Sequence, residues 1–501
     1  MKPQTVIYIA ILAVLGTLAM SSAPLAAQEN APAHRRYKLV EVGTFGGPWS
    51  GYNAGPIVNR NGTVVGAADT DSPDPYFPNC WNFDCFVTHA WKWNEGKLVD
   101  LGVLPNGFSS WTNAINSRGL VVGQSQNGEI DPDTGVPDYV PTAWKDGHVI
   151  DLGTFGGSFG LGAQVNDYGV VVGIAENAIQ DPTGFAAAFG IGGTTELRAF
   201  RWDGGTLKDL GTLGGPGAFA LDINNSNQVI GFSLVNSIPG PTGLPTVAPF
   251  LWDPIHKMRN LGTLGGTLGV AVDINENRQI AGTSDLAGDF TAHPFLWQDG
   301  KMRDLGTLGG SFGTANWLND AAEVIGWSFT SNDALLHAFV WNHGRMIDLG
   351  TVQGDISSNA FWINNRGQIV GQSWFWDGRQ VTASHAFLWE KGGPMVDLNT
   401  LLSNPSDLYL TEANFITEQG MIVANGVLPS GEGRAAILIP ESHFDASSGP
   451  TPSGPLATNQ QRALSLEMNS GRAALQAKVR QYYRRDGWKR SGAPFHPLTI
   501  H

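Results

Sequence analysis

Three sets of residues in this 501-residue chain have types and spacings that could do chemistry. The first is a glycine run. Leu-Gly-Thr-Leu-Gly-Gly stands at 210–215, 261–266 and 305–310, with looser copies at 42–47, 101–107, 152–157 and 349–354. A glycine-rich turn can aim backbone N–H groups at a phosphate. A phosphate cradle is needed once or twice in a chain, however, and seven copies point to a corner that the backbone turns in every repeat.

The second set is acidic. Asp69, Asp71 and Asp74, with Asp131 and Asp133 further on, are candidate ligands for Ca²⁺, which takes several hard oxygens. Their spacing misses the twelve-residue calcium loop, and solvated loop carboxylates are the plainer reading. No other cofactor is implied. Asp100, Asp151, Asp209, Asp304, Asp348 and Asp397 each precede a Leu in D-L-G or a related D-L-N, and six copies of one carboxylate suit a backbone cap better than acid–base catalysis.

The third set is aromatic. Trp93, Trp144, Trp202, Trp252, Trp297, Trp341 and Trp389 recur in one register and read as packing between repeats. Tryptophans outside that register are the better ligand-binding candidates: Trp49, Trp81, Trp111, Trp317, Trp374 and Trp376, with Trp327 and Trp362 beside them. His89, His293, His337 and His385 open the strand that carries the registered Trp. Four copies spread over separate repeats cannot converge on one metal.

These residues need a scaffold, and its period is visible. Aligned on the Leu of D-L-G, the copies lie 44 to 59 residues apart. A unit of about 44 residues with variable insertions marks a propeller or solenoid. Each unit resolves into four short strands, as in 271–275, 279–284, 293–297 and 301–306, joined by Asn- and Gly-containing turns. The Asn of I-N-x-x-G (Asn59, Asn116, Asn166, Asn364) caps its own turn and Gly takes the positive φ. The chain opens its repeat region with only a last strand (37–43) and finishes with only the first three (411–417, 420–425, 434–440). The expected fold is all-β: a β-propeller of about eight four-stranded blades closed by the N-terminal strand, plus a short C-terminal helical tail.

Strand alternation puts the tight I-N-x-x-G and W-x-D-G turns on one face. The glycine corners and the longer connections (68–88, 125–141, 175–198 and 234–248) share the other, where binding loops are expected.

Residues 1–27 read as a signal peptide, with Lys2 before an apolar run from Val6 to Met20 and small residues after it. Cleavage would leave no stable membrane span, and the location expected is secreted or periplasmic. Cys80 and Cys85 fit a local disulfide in that compartment. Domain boundaries can be drawn on the same grounds: 37–440 the repeats, 441–455 a Gly/Ser/Pro linker, and 456–501 a basic, partly helical tail. The body 28–455 carries 21 basic and 42 acidic residues, a balance that excludes nucleic acid as its partner.

With HAFVW at 337–341, HAFLW at 385–389, the D-L-G-T-L-G-G run and I-N-x-x-G-x-x-V-G, the region 37–440 resembles the HAF repeat family, probable extracellular repeat proteins. The resemblance implies an exported repeat protein and brings no catalytic residues. The function expected is a binding or scaffold module for an extracellular polysaccharide or protein, acting through the loop-bearing face. The alternative is a glycoside hydrolase or lyase with acids near the central channel. No Ser–His–Asp grouping, nucleotide fingerprint or metal-helix motif appears.

Overall fold

The structure is a computed structural model describing residues 34–52, 55–77, 80, 82, 84–185, 194–240, 245–377 and 381–441. The chain divides into compact units 1–34 and 35–501. The first lies almost wholly outside the described residues, as do the signal-peptide, linker and basic-tail expectations. All the described strands belong to the second.

The fold is all-β and propeller-like, with helix scarce among the described residues: 3₁₀ turns at Ser331–Asp333 and Leu398–Leu401. Strands pair in consecutive groups of four. Gly265–Ile274, Ile280–Leu286, Ala292–Gln298 and Lys301–Asp304 form one antiparallel ladder, and Gly309–Leu318, Val324–Thr330, Leu336–Asn342 and Arg345–Asp348 form the next. Single parallel pairs such as Ala292 with Phe312 join neighbouring groups. Tyr409–Ile416, Ile422–Val427 and Gly433–Pro440 lack a fourth strand of their own, and Tyr37–Glu41 supplies it from the other end of the sequence.

Two details depart from the sequence reading. The first strand of a unit begins earlier than expected: Gly265 and Gly266 lie inside the strand 265–274, with register breaks after Gly265 and after Ala271. The long connection 125–141 is also largely strand. Val121–Ile130 pairs with Pro137–Lys145 out to Ile130–Pro137, so most of 125–141 is an extended hairpin. Alternating residues keep the ladder going wherever the backbone can pair, and loop-like composition hid that.

The glycine corner explains itself atom by atom. The Asn260 side-chain oxygen accepts the Gly262 N–H at 2.7 Å, and Gly262 turns at φ +82°. The Thr263 hydroxyl donates to the Gly266 carbonyl at 2.8 Å, and the Ser284 hydroxyl takes the Leu264 N–H at 2.9 Å. The N–H groups an anion would need, those of Gly262, Leu264 and Gly265, are occupied within the protein. The D-L-G carboxylates do the same cap: Asp304 takes the Gly306 N–H and Asp348 the Gly350 N–H. Each also meets a histidine of its own unit, His293 Nδ1 to Asp304 at 2.8 Å and His337 Nδ1 to Asp348 at 2.9 Å.

The mid-strand glycines serve a second purpose. Gly282 pairs opposite Ala271, where the first strand bulges, and a Cβ on Gly282 would lie 2.0 Å from the Val270 carbonyl oxygen. Gly123, Gly173, Gly231, Gly326 and Gly371 stand equally close to a carbonyl of their first strand, at 1.9 or 2.0 Å. The aromatics of the next strand are close neighbours too. Phe295 is indeed within 2.5 Å of that Cβ, but the carbonyl is nearer. A bulge adds one residue and re-aims the side chains beyond it. Glycine opposite makes room for it.

Candidate functional site

What the bulges re-aim is one side chain per unit, two positions before the turn residue Asn or Thr. Gln164, Asp222, Asp273, Trp317, Trp362 and Phe415 occupy this position in successive units. All six line a single cavity of about 550 Å³, walled by first strands from most of the units and rimmed by their I-N-x-x-G turns. The chamber therefore opens on the tight-turn face, opposite the face that carries the long hairpins.

One wall is aromatic. Ring centroids of Trp317 and Trp362 are 4.0 Å apart, and those of Trp362 and Phe415 are 4.1 Å apart. Trp362 and Phe415 are 8% exposed, and Trp317 is half-buried. The other wall is polar. Asp222 (6% exposed) accepts N–H groups from Ile223 at 2.8 Å and Ile274 at 3.0 Å, and Gln164 donates to it as well. Asp273 (4% exposed) accepts the Leu318 N–H at 2.7 Å. The two carboxyls are hydrogen-bonded to each other. Burial, then the Asp222 charge, push Asp273 well above the usual carboxyl range. Burial raises Asp222 as well, so both carboxyls are biased toward the protonated form, Asp273 the more.

The mouth is acidic. Asp167, Glu276, Asp320 and Glu418 stand on the rim, with Arg60 as the one cation among the lining residues. Their bonds are to neutral amides across the unit boundary. Glu276 takes the Asn225 N–H at 3.1 Å, Glu418 the Asn365 N–H at 2.9 Å, and Asp320 the Asn365 side-chain amide at 2.8 Å. Asp167 takes the Ser117 N–H at 3.1 Å and also has Arg60 at 3.7 Å.

The turn asparagines hold this rim together, a role the sequence reading missed. Asn116 Oδ1 accepts from the N–H groups of Arg118 and Leu120, as an Asn-capped turn requires, while its Nδ2 donates to the Asn166 carbonyl of the next unit at 2.9 Å. The same inter-unit bond runs from Asn59 to Asn116, Asn166 to Asn224, Asn224 to Asn275, Asn275 to Asn319, Asn319 to Asn364 and Asn364 to Thr417. One side chain closes its own turn and links to the next.

The tryptophans singled out from sequence do not gather in one place. Trp317 joins the chamber, and so does Trp362. Trp49 stacks on the buried Trp111 at 5.2 Å between the first two groups. Trp374 packs beside the buried cluster of Phe312 and Trp327, and Trp376 lies two residues on, half-buried, on Ile369–Trp376. Trp81 lies outside the described residues.

Of the candidate calcium ligands, Asp69 is buried and accepts from the Thr88 hydroxyl at 2.8 Å and the Asn82 amide at 3.0 Å. Asp74 is buried and caps the Tyr76 N–H, while Asp71 is exposed and takes the Ser72 hydroxyl. Among the described residues, no group of three or more His, Cys, Asp or Glu is placed to hold a metal ion. Cys80 and Cys85 are disulfide-bonded, with Cα atoms 5.3 Å apart.

Gln164, Asp222, Asp273 and Phe415 escaped the sequence reading. Their signal was present: aligned on the turn, theirs is a column that changes chemistry from unit to unit while its neighbours repeat.

No protein-family model matches the sequence, and no curated protein does. Among solved structures, the chain is similar to a gluconolactonase from Xanthomonas campestris (10% identity over 81% of this chain and 91% of that one, TM-score 0.31). It is similar to Trypanosoma rangeli sialidase in complex with the inhibitor DANA (12%, 81% and 58%, TM-score 0.31) and to Kuenenia stuttgartiensis hydrazine synthase (11%, 60% and 43%, TM-score 0.30). The chain thus spans under two thirds of the length of the latter two. The gluconolactonase and the sialidase are β-propeller proteins. Likenesses this slight assign no activity.

Proposed function

We propose that the four-stranded groups are the eight blades of a closed β-propeller of the HAF repeat type, exported from the cell, whose central chamber binds extracellular polysaccharide. The observation that carries the binding reading is the Trp317–Trp362–Phe415 stack facing Gln164, Asp222 and Asp273 across one cavity. An aromatic platform opposite hydrogen-bonding groups suits a sugar ring, which has an apolar C–H face and a hydroxyl edge. The loop-bearing face is the alternative location, and the chamber is preferred because its aromatic and polar groups converge.

Binding is favoured over hydrolysis. Two glycosidase carboxyls stand roughly 5–10 Å apart to admit a sugar carbon or a water between them. Asp222 and Asp273 bond directly to each other and are tied to backbone N–H groups. Closure is supported by the five-residue register of Tyr37–Glu41 against Ala436–Pro440 and by the chain of asparagine links. The disulfide suits an oxidising compartment, and among the described residues no helix is long and apolar enough to cross a membrane.

The test is calorimetric titration of the protein with oligosaccharides cut from envelope and secreted polymers. Trp317→Ala is expected to weaken binding by about tenfold or more, as loss of a central aromatic contact does. If no saccharide binds, or if Trp317→Ala binds as the parent does, the proposal fails. Deleting residues 35–43 tests closure: a protein that melts as the full chain does would contradict it.

A further inference from the structure

Resting on the chamber as a saccharide site, the structure assigns it a cationic ligand: we propose that it takes an amino-sugar chain end bearing protonated amines. Asp167, Glu276, Asp320 and Glu418 bring four carboxylates from four units to one mouth, where Arg60 is the one cation among the lining residues. The partners of Glu276, Asp320 and Glu418 in the turns are amides, which hold a carboxylate in place without cancelling its charge. A concave site with one aromatic wall concentrates such a field. Trp317 contributes the other half of cation recognition, since an aromatic face attracts an ammonium group directly. A neutral sugar would use the aromatic wall and leave the mouth without purpose; an anionic one would be repelled by it.

The probes are a tetramer of β-1,4-linked glucosamine and its fully N-acetylated counterpart, which share ring shape and differ in charge. They are titrated at mildly acidic pH, where the free amines are protonated, in low and high salt. The amine form is expected to bind about tenfold tighter than the acetylated form, and to lose that advantage in about 1 M salt, where charges are screened within a few ångströms. The double variant Glu276→Gln, Glu418→Gln keeps both acceptor oxygens for the turn amides. It is expected to erase most of the difference between the two tetramers. Equal, salt-insensitive affinity for the two tetramers overturns the charge assignment and leaves the saccharide reading standing. Binding of neither tetramer overturns the amino-sugar assignment, and binding of a lysine-rich peptide but not of glucosamine would overturn it in favour of a protein ligand.

Discussion

Trp317 and Trp362 lie 4.0 Å apart, ring to ring, although they come from successive four-stranded groups. Each sits just past a bulge, at Asn316 and Phe361, opposite Gly326 and Gly371. The contact is therefore a product of the repeat itself. Six successive units each re-aim one side chain into the chamber, and the identity of that side chain is what differs between them.

The bulge depends on the glycine opposite. Gly282→Ala would put a methyl 2.0 Å from the Val270 carbonyl, which backbone cannot relieve without breaking the ladder. We expect a loss of more than about 2 kcal/mol in urea unfolding. Gly205→Ala is the control: nothing lies within 4 Å of its Cβ position, and the change is expected to stay within about 0.5 kcal/mol. Equal effects of the two substitutions would contradict the role given to the bulge.

The asparagine link makes a separable claim. Asn275 accepts from the N–H groups of Asn277 and Gln279 and donates to the Asn319 carbonyl at 3.1 Å. Asn275→Ala removes both jobs and is expected to cost about 1–3 kcal/mol. Asn275→Asp keeps the turn acceptor and loses the inter-unit donor. Its unfolding midpoint should fall between parent and alanine variant; a midpoint equal to the parent's would mean that the link between units contributes nothing.

Much of this was legible in the sequence because repetition exposes it. The strand order, the fourth strand supplied by Tyr37–Glu41, the Asp caps on Gly306 and Gly350 and the Cys80–Cys85 pair all obey local rules of turns, periods and compartments. The chamber was not. Which residues line the chamber depends on bulges, and a bulge leaves no mark in the hydrophobic alternation beyond the glycine it faces. Trp317 was singled out for lying outside the repeated register, whereas Asp222 and Asp273 looked like two acids among forty-four.

Several buried carboxyls favour the neutral form when folded, which fixes a direction for pH. Burial, then Asp84, lifts Asp69 to about 8; burial lifts Glu176 to about 7 and Asp138 to about 6. Between the unfolded carboxyl value near 4 and these raised values the folded chain binds more protons, so stability falls as pH rises. The contribution is complete below about pH 4 and lost by about pH 8. Asp348, drawn down by the His337 and Gly350 hydrogen bonds against the effect of burial, acts oppositely and only at lower pH. Thermal melts should therefore show a lower melting temperature at pH 8 than at pH 5, and Asp69→Asn should flatten that slope. An unchanged slope would rule out Asp69 as a source.

The central claim is that ligand enters through the tight-turn face. The most direct measurement is amide hydrogen exchange of the protein with and without a bound oligosaccharide. New protection is expected at 317–320, 362–365 and 415–419, on the wall and rim of the chamber, with 125–141 and 175–185 unchanged. Protection confined to those long hairpins would place the binding site on the opposite face and contradict the claim.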